Sequence, residues 1–584
     1  MAIALLPWAL SGLVADQVRR AAAGRGLTAS WRALDVSYPA SIRLRGLTLT
    51  RAQGDTALHA NELDVALAFA WPPRPARLTL NDAAISIGGT APAETDEPAW
   101  TPEAEPTSAR SRPVDSRVRA AAQQLANAVL LPARRLPELR LARVRLQRGE
   151  RGAWIEAFEL THPSTGLQMS GVGTLALADS VPFEVLANWK GDDTFGARAS
   201  FTLADPVSGS TKPLTLMLDG ALAQDRTAGE LRLQEGATLR VGSLTFTLAG
   251  RIRRAGPRFE ATWAGSDLTE ADIRASTPRI LLGPLDAMRV RGAFDWEGAL
   301  TLDVAHPDSV RFDARTRSKA LVLGDDNQLP LTALRGPFIA HIHVPSGTVS
   351  RELSPANPDF RPLASITPNL RDAVLTNEDG GFWWHRGFNT QAIQLAIAEN
   401  LRAGRFKRGA GTITMQIARN LFLGQQKTLA RKGQEVVLAW SLEHLARVPK
   451  ERLLEIYLNI IEWGPGIHGA GEAARYYFDK DASRLTLDES LFLATLVPSP
   501  RRWRGRLTAE GELKPWVRDQ MRFIAGKMSS KGWLDSTLVR PADSLAITLA
   551  GSAGSLYTAR DTVAAAADSS AVTDSTHVAS GHSF

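Results

Sequence analysis

Between Leu375 and Gly387 two acids, Glu378 and Asp379, run directly into Gly380, Gly381, the aromatics Phe382, Trp383 and Trp384, and then His385. A carboxyl group buried against apolar rings resists ionisation, and a protein obtains a proton-transfer group poised near neutral pH in this way. The same pattern also suits a plain structural use, with one acid capping a helix that starts near Thr390 and the rings filling a core.

A second segment sets Gly409 and Gly411 before Thr412, Ile413, Thr414, Met415, Gln416 and Arg419. It predicts a glycine turn feeding a helix whose first turn offers hydroxyls and unpaired backbone N–H groups, a start that suits an anion. Next, Lys427, Arg431 and Lys432 form the basic opening of an amphipathic helix with Glu435 one turn inside. Cations grouped at such a place suit a diphosphate leaving group. In a fourth segment Pro449 opens a helix with apolar residues at helical spacing, carrying Glu455, Tyr457 and Asn459. The small residues between Glu462 and Phe478 permit tight helix contact.

The elements that must hold these side chains fall within Ser365 to Trp503, a helical domain. Ahead of it, from Thr28 to about Val344, short runs alternate with period two, as in Ser41 to Thr50, Leu139 to Leu146 and Gly229 to Leu233, and predict a sheet-rich region. Two stretches interrupt it. Gly88 to Val114 is rich in Pro, Ala, Thr and Glu and predicts disorder. Ser116 to Leu131 predicts a helix with Val118, Ala122, Leu125 and Val129 on one face, able to lie on lipid or, as the favoured use, to plug an end of the sheet.

After Trp503 come one more helix, about Lys514 to Trp533, and an Ala/Ser/Thr-rich tail too poor in apolar residues to fold. Met1 to Ala15 is apolar and is followed by Asp16, Arg19 and Arg20, like the end of a membrane anchor, though a span needs about 20 apolar residues. The expected order is an N-terminal hydrophobic anchor at 1–15, a β-rich region at 16–345 with a disordered insertion at 88–115, the helical domain at 346–535 and a disordered tail at 536–584.

With 584 residues, 44% of them hydrophobic, the chain has room for several domains with sizeable cores. The absence of cysteine excludes disulfides, thiolate metal sites and a cysteine nucleophile. A net charge of +7 is mild over this length, and no Lys/Arg tract interleaved with stacking aromatics points to nucleic acid. A basic surface near anionic lipid is the better use of that charge.

In their order and spacing the four segments resemble the peptidoglycan glycosyltransferases of glycosyltransferase family 51, the lipid II polymerases. The family's first motif is matched by Glu378, Asp379, Phe382, His385 and Gly387. The second is matched by Gly409, Thr412, Ile413, Thr414 and Gln416, with Gly411 in place of a serine and Met415 in place of a glutamine. Arg431, Lys432 and Glu435 match the third; Lys450, Leu454, Glu455, Tyr457, Leu458 and Asn459 match the fourth, with Leu453 for an isoleucine. The resemblance covers about a quarter of the chain, within the size of one domain. No Ser-x-x-Lys spacing of a transpeptidase follows Trp503, as in the monofunctional members. The opening of the sheet-rich region, Arg43 to Leu49 and then Ala57 to Val65, resembles AsmA-like envelope proteins, whose long sheet curls into an apolar trough for lipid.

The resemblance implies a multidomain chain: an elongated all-β AsmA-like region followed by an α-helical, lysozyme-like transferase domain. Its apolar flap would correspond to Leu401 to Arg408. It implies joining of the C4 hydroxyl of one lipid-linked disaccharide to the anomeric carbon of a growing chain, with inversion and release of undecaprenyl pyrophosphate. Glu378 matches the general base and Glu435 the second acid, on the side of the donor diphosphate. Arg419 and Lys427 stand at the positions that hold that diphosphate, and Gln434 fills a further position that is basic in the family. Thr412, Thr414 and Gln416 would hold the donor, with Asp379, Phe382, His385, Gly387, Arg431, Lys432, Glu455, Tyr457 and Asn459 also in the substrate site.

A divalent metal, Mg or Mn, is allowed at the diphosphate and not required. The implied partners are lipid II, the growing glycan strand, membrane lipid and other cell-wall synthesis proteins. The implied location is the inner membrane, anchored by the N-terminus with the catalytic domain in the periplasm. Two other readings stay open: a lysozyme-like glycan hydrolase with Glu378 as general acid, and an envelope lipid-binding or scaffolding protein with a degenerate transferase domain.

Overall fold

A computed structural model describes residues 2–37, 41–68, 74–87, 114–129, 137–149, 151–163, 166–176, 180–190, 193–204, 210–225, 227–345, 347–405, 407–424 and 429–556. It begins with helix α1 (Ala2–Ala23), followed by β1 (Leu27–Ser30) and β2 (Ala33–Ser37). Among the described residues no helix is long and apolar enough to cross a membrane.

From β3 (Ser41–Arg51) to β16 (Arg311–Leu323) one continuous sheet runs in chain order, with β1 and β2 both on β3. Neighbouring strands are antiparallel except at one seam, where β5 (Arg74–Ser86) pairs parallel with β6 (Glu138–Arg148). A parallel pair needs a long crossover. Here it contains helix α2 (Ser116–Val129). Most of the expected disordered insertion lies outside the described residues.

Period-two patterning produces the strands as expected: β9 (Ser180–Lys190) alternates exposed and half-buried positions along its whole length. Cross-strand ion pairs line the exposed face, with Arg43 Nε 2.6 Å from Asp64 and Arg77 Nη2 2.6 Å from Glu138. Fully buried residues in the first half of the sheet are few. Leu44, Leu47, Ala60, Leu80, Ala83 and Val144 form one small core, covered by Val18 of α1 and Trp31.

The large core lies in the helical domain and takes in residues ahead of the expected boundary at 345/346. The hairpin β17 (Phe338–Val344) and β18 (Gly347–Leu353) straddles that position, and Leu329, Leu331, Leu334, Ala340, Ile342 and Leu353 belong to the helical core. The sheet region therefore ends with β16. Short helices α3 (Glu270–Ser276) and α4 (Arg279–Leu282) close it on the domain's side.

The domain's helices are α5 (Pro368–Glu378), α6 (Thr390–Ala403), α7 (Ile413–Phe422), α8 (Leu429–His444), α9 (Lys450–Ile460), α10 (Ala470–Phe478), α11 (Leu487–Leu496) and α12 (Pro515–Ser530). A capping box of Thr486 and Glu489 starts α11, which is buried from Asp488 to Leu496 and serves as the central helix.

The tail expected to stay unfolded from 536 is ordered to 556. Leu545 and Ala553 are buried in the core, and Asp488 pairs with Arg540 and accepts from the Ala546 N–H at 3.1 Å. A few well-placed small and apolar residues suffice because the domain supplies the rest of the buried surface. The remainder of the tail lies outside the described residues.

Candidate active site

Glu378 is the last residue of α5, and the chain turns at Asp379, so the helix end delivers both acids to one place. The Glu378 carboxylate accepts from Asn377 Nδ2 at 2.9 Å and from Gln416 Nε2 at 3.0 Å. Gln416, one turn into α7, in turn accepts at its Oε1 from the Tyr457 hydroxyl at 3.1 Å. Tyr457 is fully buried on α9, and burial raises its phenol well above the usual value, so it stays a neutral donor. The chain of bonds from Tyr457 through Gln416 to Glu378 fixes the amide's orientation and with it the carboxylate.

Glu378 keeps a solvent-facing edge while being closely surrounded. Desolvation by those surroundings pushes its carboxyl above the ordinary range, opposed by the bonds from Gln416 and Asn377 and by the nearby Arg419 charge. The apolar wall differs from the one the sequence suggested: Phe382 is fully buried, whereas Trp384 is 73% exposed.

Asp379 does different work. His385 Nε2 lies 3.0 and 2.9 Å from its two oxygens, and the Ile413 N–H donates to Oδ2 at 3.0 Å. Asp379 therefore ties the first segment to the N-terminus of α7, which is the favourable place for a negative charge.

Several residues expected to touch substrate are bonded within the protein. Thr412 caps α7 by accepting from the Met415 N–H, and its hydroxyl donates to Gly387 O at 2.6 Å. Gly387 has φ +87°, and a Cβ there would stand 2.9 Å from the Trp440 nitrogen. The Thr414 hydroxyl donates to Glu443 at 2.6 Å, and Lys450 reaches the same carboxylate oxygen at 2.9 Å while lying 4.2 Å over the Phe382 ring. Burial lowers the Lys450 pKa, with Glu443 opposing. Glu455 pairs with Arg452 and accepts from the Leu363 N–H at 2.8 Å; Asn459 bridges the backbone of Arg361. Thr412, Thr414, Glu455 and Asn459 thus each have partners within the protein.

Glu435 is buried on the first turns of α8, between Arg431 and Lys432 Nζ, the latter at 2.8 Å. The i, i+3 and i, i+4 spacing puts all three on one helix face. Arg419 lies close enough to Glu378 and Tyr457 to act on both electrostatically. Lys427 lies outside the described residues.

Sequence reasoning missed three participants. Asn377 was legible as the neighbour of Glu378. Glu443 and Lys531 carry no local signal: the first meets Thr414 and Lys450 across helices, and Lys531 Nζ donates to Gly380 O at 3.0 Å from beyond α12.

Among the described residues no group of three or more His, Asp or Glu side chains could hold a metal ion. The Glu435 carboxylate is already matched by two cations, so these residues do not by themselves form a divalent-ion site. The arrangement can accept a proton at Glu378 and bind a polyanion at Arg419, Arg431 and Lys432.

Residues 346–528 match the family model described as Transglycosylase. The chain is 42% identical over 169 residues to the biosynthetic peptidoglycan transglycosylase of Paraburkholderia xenovorans, covering 29% of this chain and 68% of the relative. The chain belongs to the transglycosylase family. The protein of the same name from Nitrosospira multiformis is 42% identical over 169 residues, 29% of this chain and 70% of its own length. That from Paraburkholderia phytofirmans is 46% identical over 136 residues, 23% and 56% respectively. The matched transglycosylase segment starts at the turn of the β17–β18 hairpin, so the sheet up to β16 lies outside it.

Proposed function

We propose that this chain, a peptidoglycan glycosyltransferase by family, polymerises lipid II into β-1,4 glycan with Glu378 as base and the α8 face as the holder of the donor diphosphate. The acceptor's C4 hydroxyl gives its proton to Glu378 while its oxygen attacks the donor's anomeric carbon. The bond from that carbon to the diphosphate breaks on the opposite face, and undecaprenyl pyrophosphate leaves with the electron pair. Arg419, Arg431 and Lys432 offset its charge, with Glu435 keeping the two α8 cations in register until the diphosphate arrives.

The observation that carries this reading is a carboxyl held by Gln416 and, through it, by Tyr457, within reach of the Arg419 charge, in a domain whose α8 turns Arg431 and Lys432 to one face. A hydrolase of glycan has no diphosphate to hold, and the cations favour the transferase. The degenerate-scaffold reading rested on Gly411 and Met415. Met415 is buried in packing and a Cβ at position 411 would meet only Lys432 Nζ, at 3.6 Å, so neither departure reaches Glu378.

The β-rich region is read as an AsmA-like element that stands between the membrane and the enzyme. The apolar N-terminus would hold the chain at the inner membrane with the catalytic domain in the periplasm, where lipid II and the glycan strand meet. Incubating detergent-solubilised protein with labelled lipid II, and separately with preformed glycan, tests the whole reading. Long glycan from lipid II is expected; shortened glycan, or no change in either, would overturn it.

A further inference from the structure

Among its contacts with the transferase domain, the sheet region bonds to α8 and to α6. At the first, α4 and the turn Gly283–Ala287 lie against α8, and Gln434 Nε2 donates to Leu281 O at 2.7 Å. Gly283 makes this approach possible: its φ is +53°, and a Cβ would stand 2.8 Å from Gln434 Nε2. Gln434 is buried and immediately precedes Glu435. At the second contact Gln394 Nε2 of α6 donates to Phe312 O of β16 at 2.9 Å. Arg402 of α6 pairs with Asp308, and Gly404, the α6 cap, meets Asp115 from the crossover.

A helix turns about 100° per residue, so fixing one side chain fixes the direction of its neighbour. Gln434 stands within the first two described turns of α8. Arg431, Lys432 and Glu435 sit on those turns.

We propose that Gln434 is a positioning residue through which the β-rich region acts on glycosyl transfer, by setting the rotation and axial position of the α8 face that receives the diphosphate. The proposal rests on the reading of α8 given above. It makes the sheet region part of the catalytic apparatus, although the family match does not reach Leu281 or Gly283.

The test uses the full chain with lipid II. Gln434→Ala and Gly283→Ala should each lower kcat about five- to twentyfold with KM within about twofold, the mark of an interaction realised in the transition state. Thermal midpoints should stay close to the parent for Gln434→Ala. The three atoms nearest a methyl at 283 all belong to the Gln434 amide, so the kcat loss of the double variant should fall well short of the product of the two single losses, which independent sites would give, while the strain of an alanine at φ +53° is read in the thermal midpoint. Should Gly283→Ala not fold, Gln434→Asn, too short to reach Leu281, takes its place with the same expected fall. Parental kcat in Gln434→Ala, or multiplied losses in the double variant, would overturn the proposal. Glu435→Gln run alongside separates the two readings: full turnover there would remove the role of α8 itself.

Discussion

The sheet region and the helical domain are built on opposite terms. In the helices the apolar faces converge, and residues such as Leu453, Ile456, Leu458, Leu491 and Leu493 are wholly buried. Along much of the sheet both faces stay half-open, with Trp154, Val172, Leu186 and Trp296 more than a third exposed. The ladder of backbone bonds and the cross-strand pairs hold the sheet, whereas burial holds the domain. The difference teaches where precision is available: a carboxylate held by Gln416 and Tyr457 needs a dense, preorganised surround, which among the described residues the helical domain supplies.

The sharpest way to break that comparison is at the base. Glu378→Gln should abolish polymerisation, a loss of more than about a thousandfold or roughly 4 kcal/mol of barrier, without lowering the thermal midpoint at neutral pH. Measurable glycan from that variant would remove Glu378 as base. Next in size, Glu435→Gln should cost at least about tenfold in turnover, roughly 1.4 kcal/mol. A smaller loss would make Glu435 merely structural.

Stability separates the two regions directly. Leu493→Ala, in the centre of α11, should destabilise by about 2–5 kcal/mol, while Leu186→Ala, on the open sheet, should cost under about 1 kcal/mol. Equal losses in denaturant titrations would contradict the contrast in packing.

The pH dependence sharpens the role of the surround. A base works ionised, so turnover should fall as pH drops through a carboxyl value above the ordinary range of Glu. The Gln416 bond favours the ionised form, so Gln416→Ala should move that acid limb to higher pH. A limb that stayed put would mean that Gln416 does not hold the carboxylate. The smallest effect belongs to Gly411→Ser, expected to change turnover by less than about threefold, since the site has room for a side chain. Restoring glutamine at the buried Met415 should instead lower stability by about 1–3 kcal/mol, because its amide would need partners the packing does not offer.

The local chemistry of this protein was fixed by the order of its residues. Period-two alternation made the strands, helical spacing made α7, α8 and α9, and the two acids at a helix end, the Thr412 cap and the Arg431, Lys432 and Glu435 face all follow from spacing along the chain. Such features depend on near neighbours, so a sequence carries them openly. What the matched side chains bond to within the protein was decided only by the tertiary structure. Thr412, Thr414, Glu455 and Asn459 look like substrate ligands in the sequence and bond to Gly387, Glu443, Leu363 and Arg361, partners 25 to 98 positions away. The same holds for the parallel seam between β5 and β6, the folding of residues 536–556 and the bond from Gln434 to Leu281, 153 positions away. A hydrogen bond is chosen by what stands within about 3 Å, and for groups so far apart in the chain that is settled by how the elements pack.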